Sequence, residues 1–294
     1  MQKYPFKKYR GVFVVDLDGT LLNSQKQIAQ ADLDALIHLR EQGYLVVIAT
    51  GRSNYSFDQL MKNLGYLGPS SLLAVDYVIF STGAGIMDFP TNQLLKSFTL
   101  GLDVVRSTSE YLQARGLDFM IHKPIPDTCY LLYSASGHDN PDFQRRLAIY
   151  QDFATPLSRA ALECFSGATQ LLCIVGGPNG HDIAEEITAI CSQCSVVKAT
   201  SPLDGLSLWI EIFAPNVSKS HAVAWLAETL GVHQNNTCAV GNDYNDVDLL
   251  HWAGQGFLVA NGPPSLQASF PGVASNDNCG VSEAVARWLV HECR

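Results

Sequence analysis

Apolar residues follow two different rhythms along this chain. VFVV (12–15), YLVVIA (44–49) and YVIF (77–80) are short, continuous apolar runs, each ending in a polar cluster: DLDGT, TGR and STGA. Unbroken runs of this length are expected of strands covered on both faces of a parallel sheet. Between them, residues 28–42 place Leu33, Leu36 and Ile37 at helical spacing, with Gly43 as a stop, and a helix is predicted from Ser53 to about Leu64. The same style returns from about residue 204. Lys219 precedes a predicted helix over 220–230, and 237–240 reads as a strand. Gly241 then opens GNDYNDVDLL, 256–261 reads as another strand, and 281–292 as a closing helix. Strands alternating with helices predict an α/β fold with a parallel sheet.

The middle has another texture. Segments 119–134 and 170–176 read as strands, and 103–115 and 181–194 as helices, punctuated by Pro124, Pro126, Gly137, Pro141, Gly176, Gly177 and Pro178. An α+β insert with a mostly antiparallel sheet is predicted. The chain then divides into 1–85 and 204–294, which together form the core, and 86–203, which forms the insert. The turn Gly176–Gly180 matches neither phosphate-loop fingerprint and reads as a strand-to-helix connection.

Composition narrows the function classes. A chain of 294 residues with 47% hydrophobic content buries a substantial core, and roughly 150 residues per domain suggests two domains. No apolar run approaches the roughly 18 residues of a membrane helix, and MQKYPFKKYRG lacks the apolar core of a signal peptide. A cytoplasmic protein with no membrane partner is expected. The net charge of −9, without a basic stripe, argues against nucleic acid as partner but leaves small anions open. Among the eight cysteines, Cys191 and Cys194 form one CxxC. No second pair completes a zinc set, so reduced, ordinary helix cysteines are expected. The eight histidines show no metal-ligand spacing.

The chemistry-bearing residues share one position. Asp16 and Asp18, Thr50, Lys219 and the Asn242–Asp246 group each follow a predicted core strand or open the next helix. Open parallel sheets bind ligands beyond the carboxyl ends of their strands, so one fold can gather all four. Taken singly, aspartates and threonines at strand ends are commonly caps, and a lone lysine is commonly a solvated one. Two carboxylates one residue apart on a buried strand cost free energy unless a cation, a shared proton or a polar network compensates them.

DLDGT, TGR, the distant VSK and GNDYND, in this order, resemble the motif set of the haloacid dehalogenase-like phosphatase superfamily. The mid-chain insert resembles the C2-type cap of its Cof-type, sucrose-phosphatase-like branch. The resemblance implies a Rossmann-like parallel-sheet core with an inserted α+β cap domain. It implies Asp16 as nucleophile, Asp18 as general acid and base, Thr50 as a donor to a phosphoryl oxygen, and Lys219 as the cation that neutralises developing charge. Gly51, Arg52 and Asn245 are implied substrate-side residues. Arg52 either touches substrate or pairs with a core carboxylate.

The implied metal is Mg²⁺, held by Asp16, the Asp18 backbone carbonyl and a third ligand from the 242–246 loop. The usual GDxxND reads Gly241-Asn242-Asp243-Tyr244-Asn245-Asp246 here, so Asn242 or Asp243 is the direct ligand, with Asp246 in support. A second departure is Thr82-Gly83-Ala84, where many relatives have Asn-Gly-Ala.

The insert is then a cap that excludes water and selects substrate, with His122, Lys123, Tyr130 and Tyr133 as candidates. The expected activity is Mg²⁺-dependent hydrolysis of a small phosphorylated metabolite of the sugar-phosphate class, by a monomer or weak homo-oligomer. A phosphomutase and a catalytically silent metabolite-binding module are the alternatives. A protein phosphatase needs an open site, and the large insert argues against it.

Overall fold

A computed structural model of the chain describes residues 9–67 and 73–292. Residues 1–8, which carry most of the N-terminal stretch read for a signal peptide, and Cys293 lie outside the described residues. The first stretch runs β1 (Val12–Val15), α1 (Gln30–Glu41), β2 (Leu45–Ala49), α2 (Asn54–Leu64), β3 (Tyr77–Phe80), β4 (Gly85–Asp88) and β5 (Gln93–Ser97). Next come α3 (Leu102–Ala114), β6 (Phe119–His122), β7 (Leu131–Ser134), α4 (Pro141–Ile149), β8 (Ala154–Pro156), α5 (Arg159–Phe165), β9 (Gln170–Val175), α6 (Gly180–Ile190), β10 (Ser195–Thr200) and β11 (Leu208–Phe213). The last stretch holds α7 (Lys219–Leu230), β12 (Thr237–Gly241), α8 (Val247–Trp252), β13 (Gln255–Val259), α9 (Pro264–Gln267), β14 (Gly272–Val273) and α10 (Gly280–Glu292).

Two compact units emerge. One comprises the chain up to Gly51, Leu60–Leu95 and the chain from Lys219 onward; the other comprises Arg52–Gln59 and Lys96–Ser218. The first unit is built on an eight-stranded sheet in the order β14-β13-β12-β1-β2-β3-β4-β5. Its strands from β14 to β3 run parallel, and β4 turns back antiparallel on β3. Both faces are covered, which explains the unbroken apolar runs. Val12, Val14, Leu45 and Val47 pack with Val223 and Leu226 of α7 and Leu249 and Leu250 of α8. On the opposite face Phe13 and Tyr44 meet Trp288 of α10, with ring centroids 5.9 and 4.8 Å apart. This is the α/β fold the strand–helix alternation predicts.

The second unit holds a six-stranded sheet, β10-β11-β9-β6-β7-β8, antiparallel except where β8 pairs parallel with β7. Its limits differ from those read in the sequence. Residues 86–95 stay with the first sheet, because β4 pairs along β3. Residues 204–218 stay with the second, because β11 lies between β9 and β10. Residues 52–59 also join the second unit, where Asn54 donates to the Pro126 carbonyl at 2.8 Å and Tyr55 packs edge-on against Phe153.

The stretch 119–134 is two strands of a hairpin, interrupted over 123–130. Helix α6 ends at Ile190, earlier than read, so Cys191 caps it and Cys194 lies in the following turn, where its N–H donates to the Cys191 carbonyl at 2.8 Å. Both are free thiols. Among the described residues, no helix is long and apolar enough to cross a membrane.

Candidate active site

Asp16 is the first residue past β1, and its N–H still donates to the Val240 carbonyl of β12 at 2.9 Å. The chain then coils: Leu21 N–H bonds back to the Asp16 carbonyl and Leu22 N–H to the Leu17 carbonyl. Gly19 permits this turn, with φ of +78°, a region that penalises residues bearing a Cβ. Lys219 opens α7 with no solvent exposure, and its ammonium donates to Asp16 Oδ1 at 2.7 Å and to Asp246 Oδ1 at 2.6 Å. The other Asp246 oxygen accepts the backbone N–H groups of Asn242 (2.8 Å) and Asp243 (3.1 Å). Gly241 makes room for that fold-back, since a Cβ on it would lie 2.5 Å from Asp246 Cγ.

One buried ammonium therefore serves two buried carboxylates. Burial chiefly, together with the nearby Asp246 charge and, to a smaller degree, Asp18, pushes Asp16 up to about 7 against the pull of Lys219. Burial disfavours the charge on Lys219, yet Asp16 and Asp246 outweigh it and hold the lysine above its usual range.

Asn242 completes the cluster. One terminal atom of its carboxamide lies 3.0 Å from both the Asp18 backbone carbonyl and Asp16 Oδ2, and 3.1 Å from Thr20 Oγ1. The Thr20 hydroxyl lies within donating distance of Asp16 Oδ2 at 3.0 Å and of Asn242 Oδ1 at 3.1 Å.

The other sequence-predicted residues are placed as follows. Thr50 is buried at the end of β2, with its N–H on the Ile79 carbonyl and its carbonyl accepting Thr82 N–H at 3.0 Å. The Asn245 amide lies against Gly51, 3.5 Å from where a Cβ on that glycine would sit. The Asp243 carboxylate caps the short helical turn Tyr244–Asp246. Arg52 falls in the second unit, where its guanidinium donates to Ser56 Oγ at 3.0 Å.

The insert candidates are engaged within that second unit. His122 bonds the Thr128 carbonyl, Lys123 pairs with Asp127 at 3.0 Å, and Tyr130 stands edge-on to Phe153. Tyr133 joins an apolar cluster around Met120 and Leu172.

Two contributors were not singled out by sequence. Thr20 lay in plain view within DLDGT. Lys26 sits 3.4 Å from Asp18 Oδ1, on a loop tied by Asn23 Oδ1 to the N–H groups of Gln25 and Gln27 and by Ser24 to Asp277. No residue pattern announces that pairing.

Do these residues suit a cation? Asp16 Oδ2 and the Asp18 carbonyl converge on one point, each 3.0 Å from the amide group that lies between them. The Asn242 side-chain oxygen is a third. All three are hard donors of the kind Mg²⁺ prefers, so Asp16, Asp18 and Asn242 fit the ion. The Asp243 carboxylate caps the turn that follows, and the Asp246 carboxylate holds Lys219 and two loop N–H groups. Among the described residues, no group of three or more His, Cys, Asp or Glu side chains is arranged to hold a metal.

A mainly parallel sheet that gathers Asp16, Asp18, Lys219 and Asp246 at the carboxyl ends of β1 and β12 defines an α/β enzyme with an aspartate-centred site. Residues 13–285 match the family model described as haloacid dehalogenase-like hydrolase, and the chain belongs to that family. Among curated relatives, it is 25% identical over 291 residues to the HMP-PP phosphatase of Escherichia coli, covering 94% of this chain and 93% of that protein. It is 22% identical over 290 residues to 5-amino-6-(5-phospho-D-ribitylamino)uracil phosphatase YwtE of Bacillus subtilis, covering 94% and 96%. The fold matches the solved structure of a haloalkanoate-superfamily phosphatase from Bacteroides thetaiotaomicron with a TM-score of 0.76 at 18% identity, over 96% of each chain.

Proposed function

We propose that this phosphatase of the haloacid dehalogenase-like family hydrolyses the phosphate ester of a small metabolite of the sugar-phosphate class, with Mg²⁺ as cofactor. The observation that carries this reading is the buried pairing of Asp16 with Lys219, one residue from Asp18 at the sheet's carboxyl edge.

In the first step an Asp16 carboxylate oxygen attacks phosphorus and the bond to the ester oxygen breaks, leaving an aspartyl phosphate. Asp18 gives its proton to the departing oxygen. In the second step Asp18 takes a proton from a water that attacks phosphorus, releasing phosphate and restoring the Asp16 carboxylate. Lys219 holds Asp16 in a single orientation and offsets negative charge, while Asp246 holds Lys219. Thr50 is assigned to a phosphoryl oxygen, Gly51 and Asn245 to the substrate side, and Arg52 and the insert to substrate choice. Mg²⁺ would be held by Asp16, the Asp18 carbonyl and Asn242, and would supply charge neutralisation at the phosphoryl group.

The relatives' names point to different phosphorylated small molecules, which supports the ester class rather than one compound. The test is phosphate release from a panel of sugar phosphates and p-nitrophenyl phosphate, with Mg²⁺ or EDTA, beside Asp16→Asn. Turnover that needs metal and vanishes in the variant is expected. Stoichiometric conversion to an isomeric phosphate would instead identify a phosphomutase. Asn242, in place of the usual aspartate, favours one second reading: a module that binds its phosphorylated ligand without turning it over.

A further inference from the structure

Lys219 is the first residue of α7, so the cation that serves Asp16 stands on a helix end. There the first N–H groups have no partner within the helix, and the chain tends to fray. Two carboxylates from one short stretch hold that end. Asp246 Oδ1 accepts the Lys219 ammonium at 2.6 Å. Asp248, two residues further on in the first turn of α8, takes both polar groups of the next residue with a single oxygen. Its Oδ2 accepts the Ser220 hydroxyl at 2.7 Å and the Ser220 N–H at 3.2 Å. Helix α7 carries no acidic residue in its own first turn, so Asp248 brings the negative charge that this end favours. Leu249 and Leu250, which follow Asp248, pack in one cluster with Val223 and Leu226 of α7.

We infer that Asp248 is a positioning residue for Lys219: it caps α7 from a neighbouring helix and, with Asp246 on the adjacent side chain, sets where the ammonium meets Asp16. The Lys219 stem is fully enclosed, so it cannot absorb a displacement of its own backbone by swinging through solvent. A shift of the first turn of α7 must lengthen the contact to Asp16 at 2.7 Å or the one to Asp246 at 2.6 Å. A misplacement of about 1 Å costs on the order of a hundredfold in rate. The effect on rate rests on the proposed reading of Asp16 as nucleophile and Lys219 as its cation; the hold on Lys219 does not.

The experiment compares the full natural chain with Asp248→Ala, Asp248→Asn and Val285→Ala. Val285 is a buried residue of α10, on the other face of the sheet, and its truncation reports what a general loss of stability does. Two quantities are read at a temperature where all four proteins are folded. One is kcat and KM on the best substrate of the panel; the other is acetylation of Lys219 by acetic anhydride, followed by peptide mass spectrometry.

In Asp248→Ala, kcat is expected to fall about ten- to a hundredfold while KM stays within about threefold. Lys219, protected in the natural chain, is expected to be acetylated about tenfold faster. Asp248→Asn keeps an oxygen that can accept the same two protons, and is expected to stay near the natural chain in both readings. Val285→Ala is expected to keep Lys219 protected. An Asp248→Ala protein that matches Val285→Ala in both readings, or that loses only in KM, would overturn the inference. So would faster acetylation at an unchanged kcat, because the placement of Lys219 would then not govern the rate. An asparagine variant as impaired as the alanine one would show that charge, and not the cap on Ser220, acts on Lys219, which also overturns it. A natural chain without turnover would defeat the proposed function instead, and the acetylation comparison would then decide the hold on Lys219 by itself.

Discussion

Lys219 lies 2.7 Å from Asp16 Oδ1 with no solvent at its ammonium, so the charge of the candidate nucleophile is tied to a lysine 203 positions further along the chain. Lys219→Met keeps the stem's volume and removes the charge, leaving Asp16 and Asp246 without their cation. Breaking a buried pair from one side costs roughly 3–5 kcal/mol when the remaining charge cannot neutralise. Here the carboxylates can take up a proton, since burial and mutual repulsion already raise Asp16 to about 7. The loss of melting temperature should therefore be larger at pH 8 than at pH 6. Turnover should fall by about a thousandfold or more. Calorimetry at the two pH values, with steady-state rates, checks both expectations.

Lys26 and Asp18 form a weaker and more exposed relationship, 3.4 Å apart with half of the lysine side chain in solvent. Such pairs contribute little to stability, about 0–1 kcal/mol. Their effect on a catalytic proton can still be read. Lys26→Gln removes a positive charge beside the group assigned to donate the proton, so that group should hold its proton to higher pH. The alkaline limb of the pH–rate profile should move upward, with the melting temperature unchanged. A profile superposable on that of the natural chain would show that Lys26 does not act on Asp18.

How much of this was legible beforehand follows from what each feature depends on. VFVV, YLVVIA and YVIF stand out because both faces of each strand are buried, so no polar alternation blurs them. The limits of the insert were not legible. Whether 86–95 and 204–218 belong to one sheet or the other is decided by which strand β4 and β11 pair with, and pairing partners leave no local mark. Asp16, Asp18 and Lys219 could be read from motif order. The place of the Thr20 hydroxyl between Asp16 and Asn242 could not, because it depends on how the turn after β1 meets the loop after β12. Lys26 could not either, because a loop pinned by Asp277, more than 250 residues away, presents it.

Thr82 illustrates a departure that the sequence showed and the backbone explains. It adopts φ of +56°, next to Ser81 at +44°, in the left-handed region where a β-branched residue is strained and asparagine is tolerated. Thr82→Asn restores the residue that the family resemblance leads one to expect at this turn. A stabilisation of about 1 kcal/mol is expected, which corresponds to a rise in melting temperature of about 2 °C. Turnover should stay within a fewfold. A lower melting temperature would show that the threonine hydroxyl is worth more than the strain.

His122 gives the second unit its own pH dependence. The ring is enclosed, and burial first, then the Arg146 guanidinium, depress it to about 3 from an ordinary 6.5, against a smaller opposing effect of the Thr128 carbonyl. That carbonyl lies 2.9 Å from Nδ1, so the neutral ring carries its proton there and turns its Nε2 lone pair toward Arg146 at 3.4 Å. Between pH 6.5 and 3 the unfolded chain binds a proton at this residue and the folded chain does not, so stability rises with pH across that window. The contribution is complete above about 6.5 and is lost as the pH falls below it. By pH 5 the loss amounts to about 2 kcal/mol, from about 1.4 kcal/mol for each unit of separation. His122→Asn, whose amide can still reach the Thr128 carbonyl, removes the titration. Melting temperatures from pH 7.5 to 5 should therefore fall less steeply in the variant than in the natural chain. Parallel curves would show that His122 takes up its proton in the folded chain as in the unfolded one, and that Nε2 does not face Arg146 as an acceptor.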